Sequence, residues 1–340
     1  MGGNEALSVN DVVGRQADIE ITTRGSDWYF TVCAIMGLTT LLIMGFSFRK
    51  AQTERVFHYI TAGITAVACI AYFSMGSNLG QVPIDAEFQR PLRAMAGTRE
   101  IFYARYIDWV ITTPLLLLDL LLTAGVPTHT ILATLLADEI MIVTGLVGAL
   151  TRTTYKWGFW TFGMAAFFFV VYELLWDARR HANHLGGYPL EAYRTCGVYL
   201  VFIWFLYPIA WGLSEGGNMI HPDSEAVFYG ILDILAKPVF GGILLLQHRD
   251  ILAADLGLNF ARRARSGLTT GAVGAHHEKH ATAVPGTGAG AGVGVGEVNP
   301  AAPVGAGVHD SATAVHPEGP GPNVTTDPIA TGGTTGQSVA

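Results

Sequence analysis

The chain is 340 residues long, 14% charged and 50% hydrophobic, with a formal net charge of -7 and a positive mean hydropathy. Ordinary soluble domains carry about 25% charged residues, so this is a membrane composition, and the net charge says little about partners. No basic stripe is interleaved with aromatics, which argues against nucleic acid as a partner, and Cys33, Cys69 and Cys196 have neither disulfide-framework pairing nor metal-site spacing, so they read as buried thiols.

Residues 1–27 are polar and mixed in charge, without the basic start and short apolar core of a cleaved signal peptide, so the first span is expected to be retained. Seven segments reach or approach the ~20 residues that cross a hydrocarbon core: 28–48, 56–76, 102–123, 129–150, 157–176, 194–213 and 226–247. Basic residues gather after the first span (Arg49, Lys50, Arg55), the fifth (Arg179, Arg180) and the seventh (Arg249, Arg262, Arg263, Arg265). That side is expected to be the cytoplasm, with the amino terminus outside. The connection 77–101 carries Arg90, Arg93 and Arg99, which weakens this contrast without reversing it. The expected organisation is an extracellular segment 1–27, a transmembrane domain 28–250, a basic juxtamembrane segment 251–265 and a disordered cytoplasmic tail 266–340. Gly, Ala, Val, Thr and Pro dominate that tail and cannot bury enough surface to offset its ordering entropy. Its His276, His277 and His280 read as solvated, and the sequon Asn323-Val324-Thr325 falls on the wrong side for glycosylation.

The third span reads RYIDWVITTP, then four leucines and Asp119. Asp108 and Asp119 are eleven residues apart, about three turns, which puts them on nearly one helix face and roughly 16 Å apart along the axis. Arg105 and Thr112 lie at i-3 and i+4 from Asp108, which predicts a cation and a hydroxyl against a charged carboxylate. Asp119 follows leucines alone, surroundings in which a carboxyl keeps its proton. Two carboxyls in different protonation states on one face make a proton path; the alternative is a pair of helix–helix hydrogen-bonding groups. The fourth span holds Asp138 beside Glu139, and a Thr113–Asp138 bond between helices is expected. The sixth carries Trp204, Tyr207, Pro208 and Trp211 at i, i+3, i+4 and i+7, a single stripe. Alone such a stripe is plain core; beside a mid-membrane lysine it forms a slot for a flat apolar ligand. Glu215, Asp223 and Glu225 flank the next loop, as a solvated acidic cluster or as a proton exit.

The seventh span, AVFYGILDILAKPVFGGILLL, contains Asp233 and Lys237 on one face. Charged residues at the centre of a membrane helix cost about 2.5–3.5 kcal/mol on insertion scales and normally face the bundle interior in pairs. The amine is a candidate nucleophile for an aldehyde, and so for a Schiff base; a structural ion pair locking two helices is the other reading. The remaining lysines, Lys50, Lys156 and Lys279, are expected outside the spans.

The runs RYIDWVITTPLLLLD, WFLYPIAW and LDILAK occur together and in this order, and with them residues 27–249 resemble the microbial (type 1) rhodopsins, fungal members in particular. The resemblance implies an all-α, seven-transmembrane-helix bundle that is not an enzyme but a light-driven outward proton pump, multi-pass in a membrane, the plasma membrane by preference. All-trans-retinal is then the cofactor, bound as a protonated Schiff base on Lys237; Asp108 and Asp233 are the counter-ion, and Asp108 is the proton acceptor. Asp119 is the implied proton donor with Thr61 as its partner, and Arg105 moves toward Glu215 and Glu225 to release a proton outside. Tyr72, Trp109, Thr113, Leu116, Met141, Trp160, Trp204, Tyr207 and Trp211 line the chromophore, and Leu116 implies green absorption. The implied partners are retinal, protons and the lipid bilayer, with a homo-oligomer left open. Pro238 after the lysine departs from archaeal pumps and removes one helix bond, and Gly163 replaces a small hydroxyl residue near the ring. A slow-cycling photosensor of the same fold is the alternative, although sensors commonly lack a carboxylate where Asp119 stands. A chloride pump would not keep Asp108, a channel would show glutamates along the second span, and a receptor or carrier would bind no pigment.

Overall fold

The structure, a computed structural model, describes residues 4–10, 17–86 and 97–258. The expectations for the tail, its histidines and sequon, and for Arg90, Arg93, Arg262, Arg263 and Arg265, lie outside the described residues. Among the described residues seven helices are long and apolar enough to cross a membrane: α1 Thr23–Ser47, α2 Val56–Gly76, α3 Tyr103–Thr123, α4 Thr128–Leu150, α5 Lys156–Leu185, α6 Gly187–Gly216 and α7 Pro222–Asp250. At 1.5 Å per residue even the shortest spans roughly 30 Å, the thickness of a hydrocarbon core. The chain is thus a multi-pass membrane protein of seven helices, as its hydropathy predicts.

Four helices run further than expected, α1 by five residues at its start and α5, α6 and α7 by more. Arg179 and Arg180 lie in the last turns of α5, and α5 meets α6 at Gly186, whose φ of 66° is open to glycine. Lys156 is the first residue of α5 and buried, which corrects its expected place outside the spans; its Nζ donates to the Glu215 carbonyl at 3.1 Å. The helix starts carry ordinary chemistry. Thr22 accepts the Arg24 N–H ahead of α1, and His221 accepts the Asp223 N–H ahead of α7, which begins with Pro222.

Consecutive helices pack on one another, and α7 closes against α1. In α3, 61% of the most apolar stretch is buried, against 22% in α1. α3 is therefore the central helix, and its polar residues face protein rather than lipid. Large exposed side chains such as Leu41, Ile70, Leu132, Phe162, Phe202 and Leu246 form the outer surface, where hydrocarbon replaces water as solvent.

The connection between α2 and α3 adds a small sheet to the helical bundle. Strands β1 Gln81–Asp85 and β2 Thr98–Phe102 pair antiparallel, Gln81 opposite Phe102 and Asp85 opposite Thr98. The entry turn needs Gly80: its φ is 75°, and a Cβ there would sit 2.6 Å from that of Ala104. The amino-terminal segment clamps this hairpin. Ile19 bridges Arg99, Asp18 accepts the Gly97 and Thr98 N–H groups, and Thr22 bonds Asp223 of α7 through its backbone N–H and hydroxyl, both at 2.8 Å.

Single π-helical turns interrupt α5 at Glu173–Asp177, α6 at Gly212–Gly216 and α7 at Leu235–Val239. The last encloses Lys237 and Pro238: proline cannot donate to the preceding turn, and the helix absorbs the missing bond by widening. Tyr199 of α6 donates to the Leu235 carbonyl at 3.1 Å, supporting the widened turn.

Candidate functional site

Lys237 is 1% exposed in the middle of the bundle. Its Nζ donates to Asp108 Oδ2 of α3 and lies 3.1 Å from Asp233 Oδ2 one turn away. Asp233 is further held by the hydroxyls of Tyr72 at 2.8 Å and Tyr207 at 2.6 Å and by Trp109 Nε1 at 3.3 Å. Its oxygens are spoken for, whereas Asp108 Oδ1 has no hydrogen-bond partner among the described residues. Thr112 donates to the Asp108 carbonyl at 2.9 Å. One cation between two carboxylates is the arrangement in which a proton on nitrogen is stabilised by charge on both sides.

Two expectations are corrected here. Arg105 does not lie against Asp108: its guanidinium bonds Glu225 at 2.6 Å, Glu215 at 3.2 Å and the Tyr29 hydroxyl at 2.9 Å. Tyr72 does not line the ligand cavity; it orients Asp233 from behind.

That cavity ends at Lys237. Trp109, Thr113, Leu116, Met141, Trp160, Trp204, Tyr207 and Trp211 line it, joined by Ile142, Gly145, Gly163, Met164, Phe167 and Pro208. Thr113 donates to Asp138 of α4 at 2.7 Å, the interhelical bond its sequence suggests, so its hydroxyl is engaged away from the cavity. A Cβ on Gly163 would approach Thr144 Oγ1 to 2.9 Å, so close contact between α4 and α5 accounts for the glycine. An apolar slot walled by tryptophans and closed by a single amine fits a flat apolar molecule with an aldehyde end.

Outward of this slot lies a buried charge cluster. Glu215 and Glu225 are 3% and 2% exposed, so the solvated reading of these two acids does not hold; Asp223 instead binds Thr22. Tyr106 and Tyr229 donate to the two oxygens of Glu215 at 3.1 and 3.0 Å, and the Tyr229 ring lies 4.2 Å beneath the Arg105 guanidinium. Arg99 of β2, read from sequence as a loop charge, is buried and donates to Glu225 at 2.6 Å, to the Ile220 carbonyl at 2.7 Å and to Asn218. Tyr229 follows Glu225 by four residues, a spacing that could have flagged it; nothing in the sequence around Tyr106 or Arg99 could have.

On the opposite side of Lys237, Asp119 is wholly buried. Thr61 of α2 donates to its Oδ2 at 3.1 Å, and Oδ1 has no partner among the described residues. Leu116, Leu117, Leu120 and Leu121 are buried on the same stretch of α3.

Comparison with known proteins agrees with this architecture. An opsin-like protein, carO, of Fusarium fujikuroi is 60% identical over 258 residues, covering 75% of this chain and 84% of its own length. Two solved structures titled as light-driven proton pumps, from Coccomyxa subellipsoidea and Leptosphaeria maculans, superpose with TM-scores of 0.65 and identities of 37% and 35%. Each covers 68% of this chain, and 99% and 100% of the solved chain. The family described as "Bacteriorhodopsin-like protein" matches residues 24–251, and the chain belongs to this family of microbial rhodopsins.

Proposed function

We propose that the chain is a light-driven outward proton pump, its work done by residues 28–250 in a fungal plasma membrane. Lys237 is the residue that would hold all-trans-retinal, which when bound as a protonated Schiff base supplies light absorption and a light-triggered isomerisation. The amine ends an apolar, tryptophan-walled cavity, and the family and the titles of the neighbouring structures point the same way.

Before light, Asp108 and Asp233 balance the positive charge at Lys237 Nζ. Asp233 has its oxygens occupied by Tyr72, Tyr207 and Trp109, while Asp108 has a free Oδ1 and direct contact with Nζ, so Asp108 is the acceptor of the Nζ proton. Arg105 and the two glutamates form the outward exit: when Asp108 takes the Nζ proton its negative charge is lost, the Arg105 cation is left to favour the charged form of the Glu215–Glu225 pair, and that pair gives up a proton to the outside. Asp119 refills Nζ from the inner side. The single observation carrying the direction is Asp119, wholly buried on the inner stretch of α3 with a Thr61 hydroxyl on one oxygen, while Arg105, Glu215 and Glu225 gather at the other end.

The test is external pH in illuminated cells or vesicles supplied with retinal. The parent should acidify the outside. Asp108→Asn removes the acceptor and one counter-charge, so it should shift absorption to the red and abolish acidification; Lys237→Ala should carry no covalent pigment. A pigmented parent that moves no protons sinks the pump reading and leaves the photosensor.

A further inference from the structure

We propose that the inner ends of α5 and α6 bind an anionic phospholipid of the inner leaflet, its phosphate held between Arg179 and Arg194 and its acyl chains lying along the two helices below them. The site is separate from the Lys237 cavity and does not depend on the pump reading.

The two helices meet at Gly186, and Arg179 stands seven residues before that turn and Arg194 eight after it. At 1.5 Å per residue both lie roughly 10–12 Å from the turn, level with each other rather than at its tip. Both are exposed, and both border one groove between the helices. Leu174, Tyr193 and Gly197 are its buried floor, and Val198, 64% exposed, is its lipid-facing edge. The Tyr193 hydroxyl of α6 donates to the Leu174 carbonyl in the π turn of α5, which fixes the two walls to each other. Leu175 and Arg179 also border a second recess, which adds Trp176, Arg180 and Asn183.

Neither recess has an acid in its wall, and among the described residues Arg179, Arg180 and Arg194 have no ion-pair partner. The nearby acids lie off the walls. Asp177 is 3.8 Å from His181, Glu173 belongs to the π turn, and Glu191 is exposed on the turn of α6 before Arg194. Trp176, 53% exposed, stacks on Tyr172 at 5.7 Å, and from there toward the bilayer centre Phe168, Phe169, Phe202 and Phe205 are exposed. A tryptophan between arginines and such an apolar surface marks the level of the headgroups. Free phosphate would meet only the charged half of this surface, whereas a phospholipid meets both. Guanidinium groups bond phosphate oxygens in pairs, and basic recesses between helices on the inner side suit anionic headgroups. A zwitterionic headgroup would bring its own cation toward three arginines, so the site selects a lipid with net negative charge.

The test uses the full chain in micelles with phosphatidylglycerol or phosphatidylcholine added. Native mass spectrometry should show phosphatidylglycerol retained at about tenfold lower concentration than phosphatidylcholine. The double variant Arg179→Gln with Arg194→Gln should lose that preference, while Arg152→Gln, which alters an exposed arginine paired with Asp85 elsewhere on the chain, should keep it. The melting temperature of the parent should rise with phosphatidylglycerol and stay unchanged with inorganic phosphate at the same concentration. Equal retention of the two lipids by the parent overturns the proposal, and so does a double variant that keeps the preference. A rise produced equally by inorganic phosphate also overturns it, because the ligand is then a free anion. The lipid comparison on the parent decides the matter even where the double variant does not fold.

Discussion

At the scale of residues, the central chemistry is legible because the bilayer makes charge expensive. Lys237, Asp233, Asp108 and Asp119 stand out as ionisable groups inside apolar runs, and all four are buried in the interior. Arg105 was legible as a residue but not as a contact. Spacing puts it on the face of Asp108, yet long helical side chains lean toward the helix N-terminus, which in α3 is the outer end, and the guanidinium reaches Glu225 instead. The partner on the other oxygen of Glu225, Arg99, comes from a strand and carries no sequence signal. Glu225 sits between two guanidiniums, at 2.6 Å from each. Breaking a buried pair from one side costs about 3–5 kcal/mol because a charge is left uncompensated. Arg99→Gln leaves Glu225 paired with Arg105, so it should lower thermal stability by less than that amount, and adding Glu225→Gln should recover part of the loss. Thermal unfolding of the parent, both single variants and the double variant measures this; strictly additive losses would mean that the contact carries no coupling.

At the scale of elements, the seven helices follow from hydropathy alone, but their ends and interruptions do not. The π turn at Lys237 is a matter of backbone bonds, and only Pro238 hints at it. The hairpin was invisible because its strands are five residues each and lie among polar loop residues, with no long alternating pattern to read. It brings an acid into the protein. Glu100 of β2 is 2% exposed, accepts the Ile21 N–H at 2.8 Å, and burial pushes its carboxyl from 4.5 to about 8, with Ile21 and Arg99 opposing the rise and Glu20 and Glu225 adding to it. The folded protein thus keeps a proton that the unfolded chain gives up near pH 4.5. Stability from the protonated form is complete below that value and is lost as pH rises through about 8. The melting temperature of the parent should fall across that range, and Glu100→Gln, which still offers Ile21 an amide oxygen, should remove most of the slope. Equal slopes in the two proteins would show that Glu100 does not titrate there.

At the scale of the whole molecule, the direction of the proposed pump rests on an asymmetry that no single helix contains. Outward of Lys237 the interior is crowded with Arg99, Arg105, Glu215, Glu225 and three tyrosines in hydrogen-bonded contact. Inward there is Asp119 with Thr61, then leucines, until Thr123 and His248. In the proposed pump, a proton leaving Lys237 Nζ finds an acceptor already bonded to it in Asp108, and Asp119 is the inner carboxyl that would supply its replacement. Removing that carboxyl should separate the two halves of the cycle. Asp119→Asn keeps Asp108, Asp233 and the cavity walls, so its colour and the loss of the Nζ proton should match the parent. Refilling must then draw protons directly from solution across the leucine layer, so recovery should slow and should quicken in proportion to proton concentration as pH falls. In the parent, refilled from an internal donor, recovery should vary little with pH near neutrality. Flash photolysis of both proteins across a pH series decides the point: a variant that recovers as fast as the parent, or whose recovery ignores pH, would remove Asp119 from the path and with it the structural basis for outward transport.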